Sequence, residues 1–162
     1  MFPPLEPFAE DTIDVGNGHT IYYCQSGNPE GRPALILHGG PGAGSSPYHR
    51  RFFDPSLYRI IQFDQRGCGR SGPNAGLDAN DTWSLVADME RLRHRLGIDR
   101  WLLFGGSWGS TLALSYAGKH REHCVALILR GVWLNREEDI AWDYDGLRRF
   151  WPEAFAEFEG FV

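Results

Sequence analysis

The chemistry in this sequence centres on a serine between glycines. Gly105-Gly106-Ser107-Trp108-Gly109 has the pattern G-x-S-x-G, follows an apolar run and precedes a helical pattern. Between a strand and a helix, this pattern predicts a nucleophile elbow, a tight turn that presents the serine hydroxyl. The glycines let strand and helix approach where a Cβ would clash, and the helix N-terminus stabilises developing negative charge. We therefore predict that Ser107 is a nucleophile, the alternative being a glycine-rich turn with an incidental serine.

A second glycine-rich loop, His38-Gly39-Gly40-Pro41-Gly42, follows an apolar run at 34–38. In hydrolases with a nucleophile elbow, such a loop supplies one N–H of the oxyanion hole, and the residue after the nucleophile supplies the other. Here the two donors would be the backbone N–H groups of Gly40 and Trp108. A phosphate-binding loop is the alternative, but the segment lacks the P-loop lysine and the G-x-G-x-x-G spacing.

A third motif, Asp64-Gln65-Arg66-Gly67-Cys68-Gly69-Arg70-Ser71, follows the apolar run at 58–64. Asp64 is interpreted as a turn-forming carboxylate that pairs with Arg66 or Arg70 rather than as a catalytic group. Cys68 is expected near the mouth of the site and exposed, with nothing nearby that marks it as a nucleophile.

The elements that must position these motifs alternate along the chain. Runs that predict strands lie at 12–15, 20–26, 34–38, 58–64, 101–104 and 125–129. The first two flank Gly16-Asn17-Gly18, a strong hairpin signal. Helical spacing starts at Thr82 and appears again at 110–119. This order predicts an α/β fold with a mostly parallel sheet, helices on both faces and an N-terminal antiparallel hairpin.

The character of the chain changes after Trp133. Segments 139–150 and 152–158 have a helical pattern, and the stretch contains no strand pattern. We therefore predict two parts, a sheet-containing part at 1–132 and a helical part at 133–162.

Composition and charge exclude several classes of protein. The chain has 162 residues, 42% hydrophobic residues and a net charge of −5, which is typical of a globular domain and not of a disordered one. The basic segment 91–95 is interpreted as a solvated helix face, so nucleic acid is not an implied partner. Three widely spaced cysteines predict neither a disulfide framework nor a metal site. No secretory signal or membrane-spanning run is recognised, which favours the cytoplasm.

The three motifs together resemble those of prolyl aminopeptidase (proline iminopeptidase), a family of serine peptidases with the α/β-hydrolase fold. The resemblance rests on HGGPG at 38–42, DQRGCGRS at 64–71 and GGSWGSTLAL at 105–114. The segments DTIDVGNGHTIYY and TWSLVADMERLR are also similar to that family in place and order. The resemblance covers the chain from near its N-terminus to about residue 150.

The resemblance implies a function for several positions. Ser107 would attack the carbonyl of an N-terminal proline in a peptide substrate, Gly40 and Trp108 would form the oxyanion hole, and no cofactor would be needed. A helical cap would begin after the sixth strand, at about residue 133, and its acidic residues would hold the proline amine. Further residues expected to line the substrate site are His38, Gly39 and Pro41.

The family places the catalytic Asp and His after the cap, and neither is recognised in this chain. The six histidines are interpreted as structural or exposed, because they lie on other loops or at the far end of the nucleophile's helix. We therefore expect an N-terminal fragment, truncated after about the sixth strand, that is inactive by itself and has an aggregation-prone sheet edge. Two alternatives stay open: another esterase or amidase of the same fold, and a non-catalytic hydrolase-like protein.

Overall fold

The computed structural model describes residues 1–161. The chain divides into two compact units, Met1–Val132 and Trp133–Val162. The larger unit contains a β-sheet with its helices, and the described part of the smaller unit is helical.

One sheet of six strands forms the centre of the larger unit, in the order β1-β2-β4-β3-β5-β6. The first two strands pair antiparallel, β2 also pairs antiparallel with β4, and the remaining pairs are parallel. This arrangement confirms the predicted α/β fold with its N-terminal antiparallel hairpin. The strands are β1 (Pro7–Gly16), β2 (His19–Gly27), β3 (Arg32–Leu37), β4 (Tyr58–Phe63), β5 (Trp101–Gly106) and β6 (Cys124–Arg130).

The hairpin turn between β1 and β2 depends on residues that tolerate positive φ. Gly16, Asn17 and Gly18 have φ values of 78°, 55° and 75°. Glycine adopts this region without a steric penalty, and asparagine adopts it more readily than most residues do. The turn therefore forms where the glycine–asparagine signal predicts it.

Three helices accompany the sheet: α1 (Pro47–Arg50), α2 (Thr82–Arg95) and α3 (Trp108–Lys119). The start of α2 is capped by Asp81, whose carboxylate accepts the N–H groups of Trp83 and Ser84. Helix α1 was not predicted from the sequence, because four residues are too few to show helical periodicity. A 3₁₀ turn, Arg121–His123, connects α3 to β6.

The central strands are buried on both faces. Ala34, Leu35, Ile36 and Leu37 are consecutive in β3, and each is at most 2% exposed. Successive strand residues point to opposite faces, so a continuous apolar run requires cover on both sides of the sheet. On one face, Ala34 and Ile36 pack with Phe53, Ile60 and Phe104.

Strand β6 lies at the edge of the described sheet, and its side chains are much less buried. Val125 is 60% exposed and Ile128 is 44% exposed. Apolar side chains on a strand with one partner are typical of an edge that needs further cover.

The smaller unit contains α4 (Glu137–Ala141), a π-helical turn at Trp142–Gly146 and α5 (Pro152–Glu159). A Cβ at Gly146 would lie 2.6 Å from the Trp142 ring, so the ring packs closely against this glycine. Helical backbone continues from α4 through the π-helical turn to residue 148, which confirms most of the helical pattern predicted at 139–150. In the described part of the chain, every helix is too short or too polar to span a membrane.

Candidate active site

Ser107 occupies the turn between β5 and α3 with an unusual backbone conformation. Its φ is 54° and its ψ is −126°, a region that residues with a side chain rarely adopt. Ser107 is exposed although its neighbours in the chain, Gly106 and Trp108, are buried. The strained turn therefore presents this one side chain at the surface, which is the arrangement expected of a nucleophile elbow.

Two glycines of the G-x-S-x-G motif make this turn possible. A Cβ at Gly105 would lie 2.2 Å from the carbonyl oxygen of Gly109, so β5 and α3 could not remain this close. A Cβ at Gly109 would lie 2.3 Å from the carbonyl oxygen of Leu37, at the end of β3. The start of α3 is thus in direct contact with both neighbouring parallel strands.

The loop after β3 lies directly beside the serine. A Cβ at Gly39 would be 3.2 Å from the Cβ of Ser107 and 2.9 Å from the carbonyl oxygen of Gly106. Gly40 follows with a φ of 114°, and it is exposed, as is Pro41. The structure therefore brings the two predicted motifs, 38–42 and 105–109, together at the carboxyl ends of adjacent strands.

His38 is structurally engaged within this loop. Its side chain is buried, and Nε2 accepts the backbone N–H of Gln65 at 3.0 Å. Because Nε2 accepts, the ring proton resides on Nδ1, which donates to the carbonyl oxygen of Gly39 at 2.9 Å. Burial lowers the pKa of His38, so the ring is neutral in the folded protein. Both ring nitrogens thus hold the loop.

Gln65 connects the loop to the start of α3. Its Nε2 donates to the carbonyl oxygen of His38 at 2.9 Å, and its Oε1 accepts the indole N–H of Trp108 at 2.9 Å. Gln65 is 2% exposed. We call this connection the carboxamide bridge. The role of Gln65 was not predicted from the sequence, although its position two residues after the end of β4, the neighbour of β3, could have suggested it.

Asp64 has the structural role that was predicted, and its partners are backbone N–H groups of two loops. Its carboxylate accepts the backbone N–H groups of Ser45 at 2.6 Å and Arg70 at 2.8 Å. The Arg66 guanidinium instead forms a buried ion pair with Asp88, with Nε 2.6 Å from Oδ2. Of the two predicted partners, Arg70 is therefore confirmed, through its backbone N–H, and Arg66 is wrong, because its guanidinium pairs with Asp88.

Cys68 is buried, which corrects the expectation that it is exposed. It is 6% exposed, and its thiol donates to the carbonyl oxygen of Gln65 at 3.0 Å. Burial, followed by the nearby charge of Asp64, raises the pKa of Cys68 to about 11. The thiol therefore remains protonated at neutral pH and is a poor nucleophile.

A cavity of about 540 Å³ opens between the loop after β3, the segment 66–77 and the start of α2. Its wall includes Trp108 and thus adjoins the carboxamide bridge. Further residues of the wall are Pro41, Gly42, Cys68, Leu77 and Leu85.

The basic segment at 91–95 is not a uniformly solvated helix face. Arg93 is buried, and its guanidinium donates to both carboxylate oxygens of Glu90, at 2.7 and 2.8 Å. Burial alone would raise the pKa of Glu90, but hydrogen bonds from Arg93 and Tyr116 outweigh it and bring the pKa to about 2. This pair belongs to the contact between α2 and α3.

Curated relatives of similar sequence are named proline iminopeptidases. The chain is 52% identical over 159 residues to a probable proline iminopeptidase of Leptolyngbya boryana, with 98% of this chain and 50% of the relative covered. It is 49% identical over 163 residues to the proline iminopeptidase of Arabidopsis thaliana, with 100% of this chain and 43% of the relative covered. The chain spans about half the length of the curated relatives it matches.

Solved structures of similar fold include hydrolases of two kinds. A proline iminopeptidase-related protein of Thermus thermophilus has a TM-score of 0.66 and 28% identity, with 75% of this chain and 43% of that chain covered. The proline iminopeptidase of Mycobacterium smegmatis has a TM-score of 0.64 and 28% identity, with 74% of this chain and 42% of that chain covered. An epoxide hydrolase mutant of Vigna radiata has a TM-score of 0.68 and 25% identity, with 91% of this chain and 45% of that chain covered.

The sequence also matches a family of known architecture. The family model described as the alpha/beta hydrolase fold aligns with residues 33–161, which include most of β3, strands β4 to β6 and helices α1 to α5. The sheet order, the elbow at Ser107 and this match agree, and the chain belongs to the α/β-hydrolase fold family.

Proposed function

We propose that the protein is a serine exopeptidase that releases an N-terminal proline from peptides. The observation that carries the proposal is the contact between Gly39 and Ser107, which places the loop after β3 beside an exposed serine in a strained elbow. The identity of about 50% to proline iminopeptidases supports the choice of substrate.

The proposed reaction begins at Ser107. Its Oγ attacks the carbonyl carbon of the N-terminal proline while a general base removes the hydroxyl proton. The carbonyl oxygen becomes an oxyanion, and the backbone N–H groups of Gly40 and Trp108 donate hydrogen bonds to it. The N-terminal end of α3 adds the favourable field of its aligned peptide dipoles.

Collapse of this intermediate breaks the peptide bond. The proton taken from Ser107 passes to the departing peptide amine, and the proline remains bound to Oγ as an ester. Water then attacks the ester, the base again removes a proton, and free proline leaves with Oγ protonated once more. The resemblance implies that a His, oriented by an Asp, supplies the base, and that both follow the cap.

The remaining parts of the chain have supporting roles in this proposal. Residues 1–132 form the N-terminal part of the hydrolase core, and residues 133–162 begin a helical cap. Gly39 and Pro41 line the substrate site, and His38 shapes the loop that carries them. A cytoplasmic location is favoured because Cys24, Cys68 and Cys124 are all free thiols.

The test uses the protein as produced from its own gene. Proline p-nitroanilide should be hydrolysed much faster than its N-acylated form, because an exopeptidase recognises the free amine, and Ser107→Ala should abolish the reaction. Equal rates on the two substrates, or faster hydrolysis of p-nitrophenyl acetate alone, would indicate an esterase or amidase instead. Reading the gene for a strand ending in Asp and a later His tests the proposed base directly.

A further inference from the structure

We propose that Gln65 is a positioning residue that sets the spacing between the two oxyanion-hole donors. This inference rests on the proposed function in one respect, namely that Gly40 and Trp108 supply those donors. It goes further in assigning a role to the buried side chain that connects their two chain segments.

The contacts of Gln65 involve both segments at once. The side chain donates to the carbonyl oxygen of His38 and accepts the indole N–H of Trp108, each at 2.9 Å, and its backbone N–H donates to His38 Nε2 at 3.0 Å. Three hydrogen bonds from one residue therefore fix the end of β3 relative to the start of α3.

The carboxamide is suited to this position because it has a donor and an acceptor on one planar group. The His38 carbonyl requires a donor, whereas the Trp108 indole requires an acceptor. A glutamate would present two acceptors and leave the carbonyl facing a negative oxygen. An aliphatic residue would leave two buried polar groups unsatisfied, each at a cost of about 1–3 kcal/mol.

The bridge acts close to the proposed donors in the chain. Gln65 bonds the carbonyl oxygen of His38, which belongs to the His38–Gly39 peptide unit. The N–H of Gly40 belongs to the next peptide unit along the chain. The backbone N–H of Trp108 belongs to the residue whose indole Gln65 holds. Because a misplacement of about 1 Å can reduce a rate by about 10², loosening the bridge should weaken stabilisation of the oxyanion.

The kinetic test compares Gln65→Leu and Gln65→Glu with Gln25→Leu in the protein produced from its own gene. Gln25 is a matched control, because it is also a buried glutamine but bonds Arg59, away from the site. We expect kcat to fall about 10- to 100-fold in both Gln65 variants, with KM within about 3-fold. Gln25→Leu should leave both constants unchanged. A kcat within about 3-fold of the original in Gln65→Leu would overturn the proposal.

A double variant tests whether the bridge acts as one unit. Trp108→Phe removes the indole N–H and keeps an aromatic ring, so Gln65→Leu with Trp108→Phe should lose no more rate than Gln65→Leu alone. Multiplied losses would mean that the two side chains act independently and would contradict the bridge.

A second substrate distinguishes a wrong role for Gln65 from a wrong proposed function. An oxyanion hole serves any acyl transfer, so p-nitrophenyl acetate reports on Gln65 even if proline substrates are not cleaved. If neither substrate is hydrolysed, the backbone amide resonances of Gly40 and Trp108 in ¹⁵N spectra test whether Gln65 positions these two N–H groups. Both should shift in Gln65→Leu and stay in place in Gln25→Leu, and unmoved resonances in Gln65→Leu would refute the proposal.

Discussion

Gly39 and Ser107 lie so close that a Cβ on Gly39 would be 3.2 Å from the Cβ of Ser107. The same Cβ would be 2.9 Å from the carbonyl oxygen of Gly106. The loop after β3 can therefore lie beside the serine because residue 39 has no side chain.

Gly39→Ala is expected to displace this loop and lower activity. A methyl group would force the loop away from Ser107, and a shift of about 1 Å would reduce kcat on the order of 10²-fold. Steady-state kinetics with proline p-nitroanilide measure the effect. Gly118→Ala in α3 is the control, because a Cβ there meets no atom within 4 Å. Undiminished activity in Gly39→Ala would show that the loop is not positioned by this contact.

Two glycines of α3 should respond oppositely to alanine. A Cβ at Gly109 would lie 2.3 Å from the Leu37 carbonyl oxygen, whereas one at Gly118 has open space. Gly109→Ala should lower the free energy of unfolding by about 1–3 kcal/mol or more, because backbone must move. Gly118→Ala should raise it by up to about 1 kcal/mol through helix propensity. Urea denaturation measures both, and equal changes in the two variants would contradict the close packing at Gly109.

Ser107→Gly should be more stable than Ser107→Ala, although both lack the hydroxyl group. The φ of 54° costs any residue with a Cβ about 1–3 kcal/mol, and glycine avoids this cost. Thermal unfolding of the two variants measures the difference. As a control, Ser115→Gly in the regular part of α3 should be destabilised by about 1 kcal/mol. A higher melting temperature for Ser107→Ala than for Ser107→Gly would argue against strain at the elbow.

The buried ion pair between Arg66 and Asp88 should contribute much more to stability than an exposed pair. Both side chains are at most 1% exposed, so Asp88→Asn leaves a guanidinium charge buried and should cost about 3–5 kcal/mol. The exposed pair between Arg70 and Glu10 is the comparison, and Glu10→Gln should cost at most about 1 kcal/mol. Urea denaturation at pH 7 measures both. Similar losses in the two variants would contradict the difference in burial.

Stability should decrease as the pH falls below about 6.5, the ordinary pKa of histidine. Burial lowers the pKa of His38 in the folded protein, so the unfolded chain takes up this proton first. Stability from this group is complete above pH 6.5 and declines toward the lower folded-state pKa, by about 1.4 kcal/mol per pH unit. Urea denaturation between pH 5 and 7.5 measures the slope.

One variant tests whether His38 causes this slope. His38→Gln should flatten it, because the side chain at position 38 no longer takes up a proton. Burial also lowers the pKa of His49, so part of the slope should remain in His38→Gln. An identical slope in the original protein and in His38→Gln would show that His38 does not cause it.

The sequence by itself determined the order of elements and the position of the elbow at Ser107. Continuous apolar runs, the Gly16-Asn17-Gly18 turn and the periodicity from Thr82 are local signals, because strand burial, turn conformation and helix faces depend on neighbouring residues. The elbow at Ser107 was predictable for the same reason, since its glycines and serine are consecutive and lie between a strand and a helix.

Tertiary structure alone decided which polar groups meet. The side chain of Gln65 bonds His38, which follows β3, and Trp108, which begins α3, so no spacing within 64–71 reveals this bridge. Asp64 bonds backbone donors, and Arg66 pairs with Asp88 on α2. Cys68 is buried, and its Sγ lies 3.5 Å from His38 Nε2, which is distant in sequence. The physical reason is that hydrogen bonds and burial depend on distances in the folded chain, which the adjacency of β4, β3 and β5 establishes.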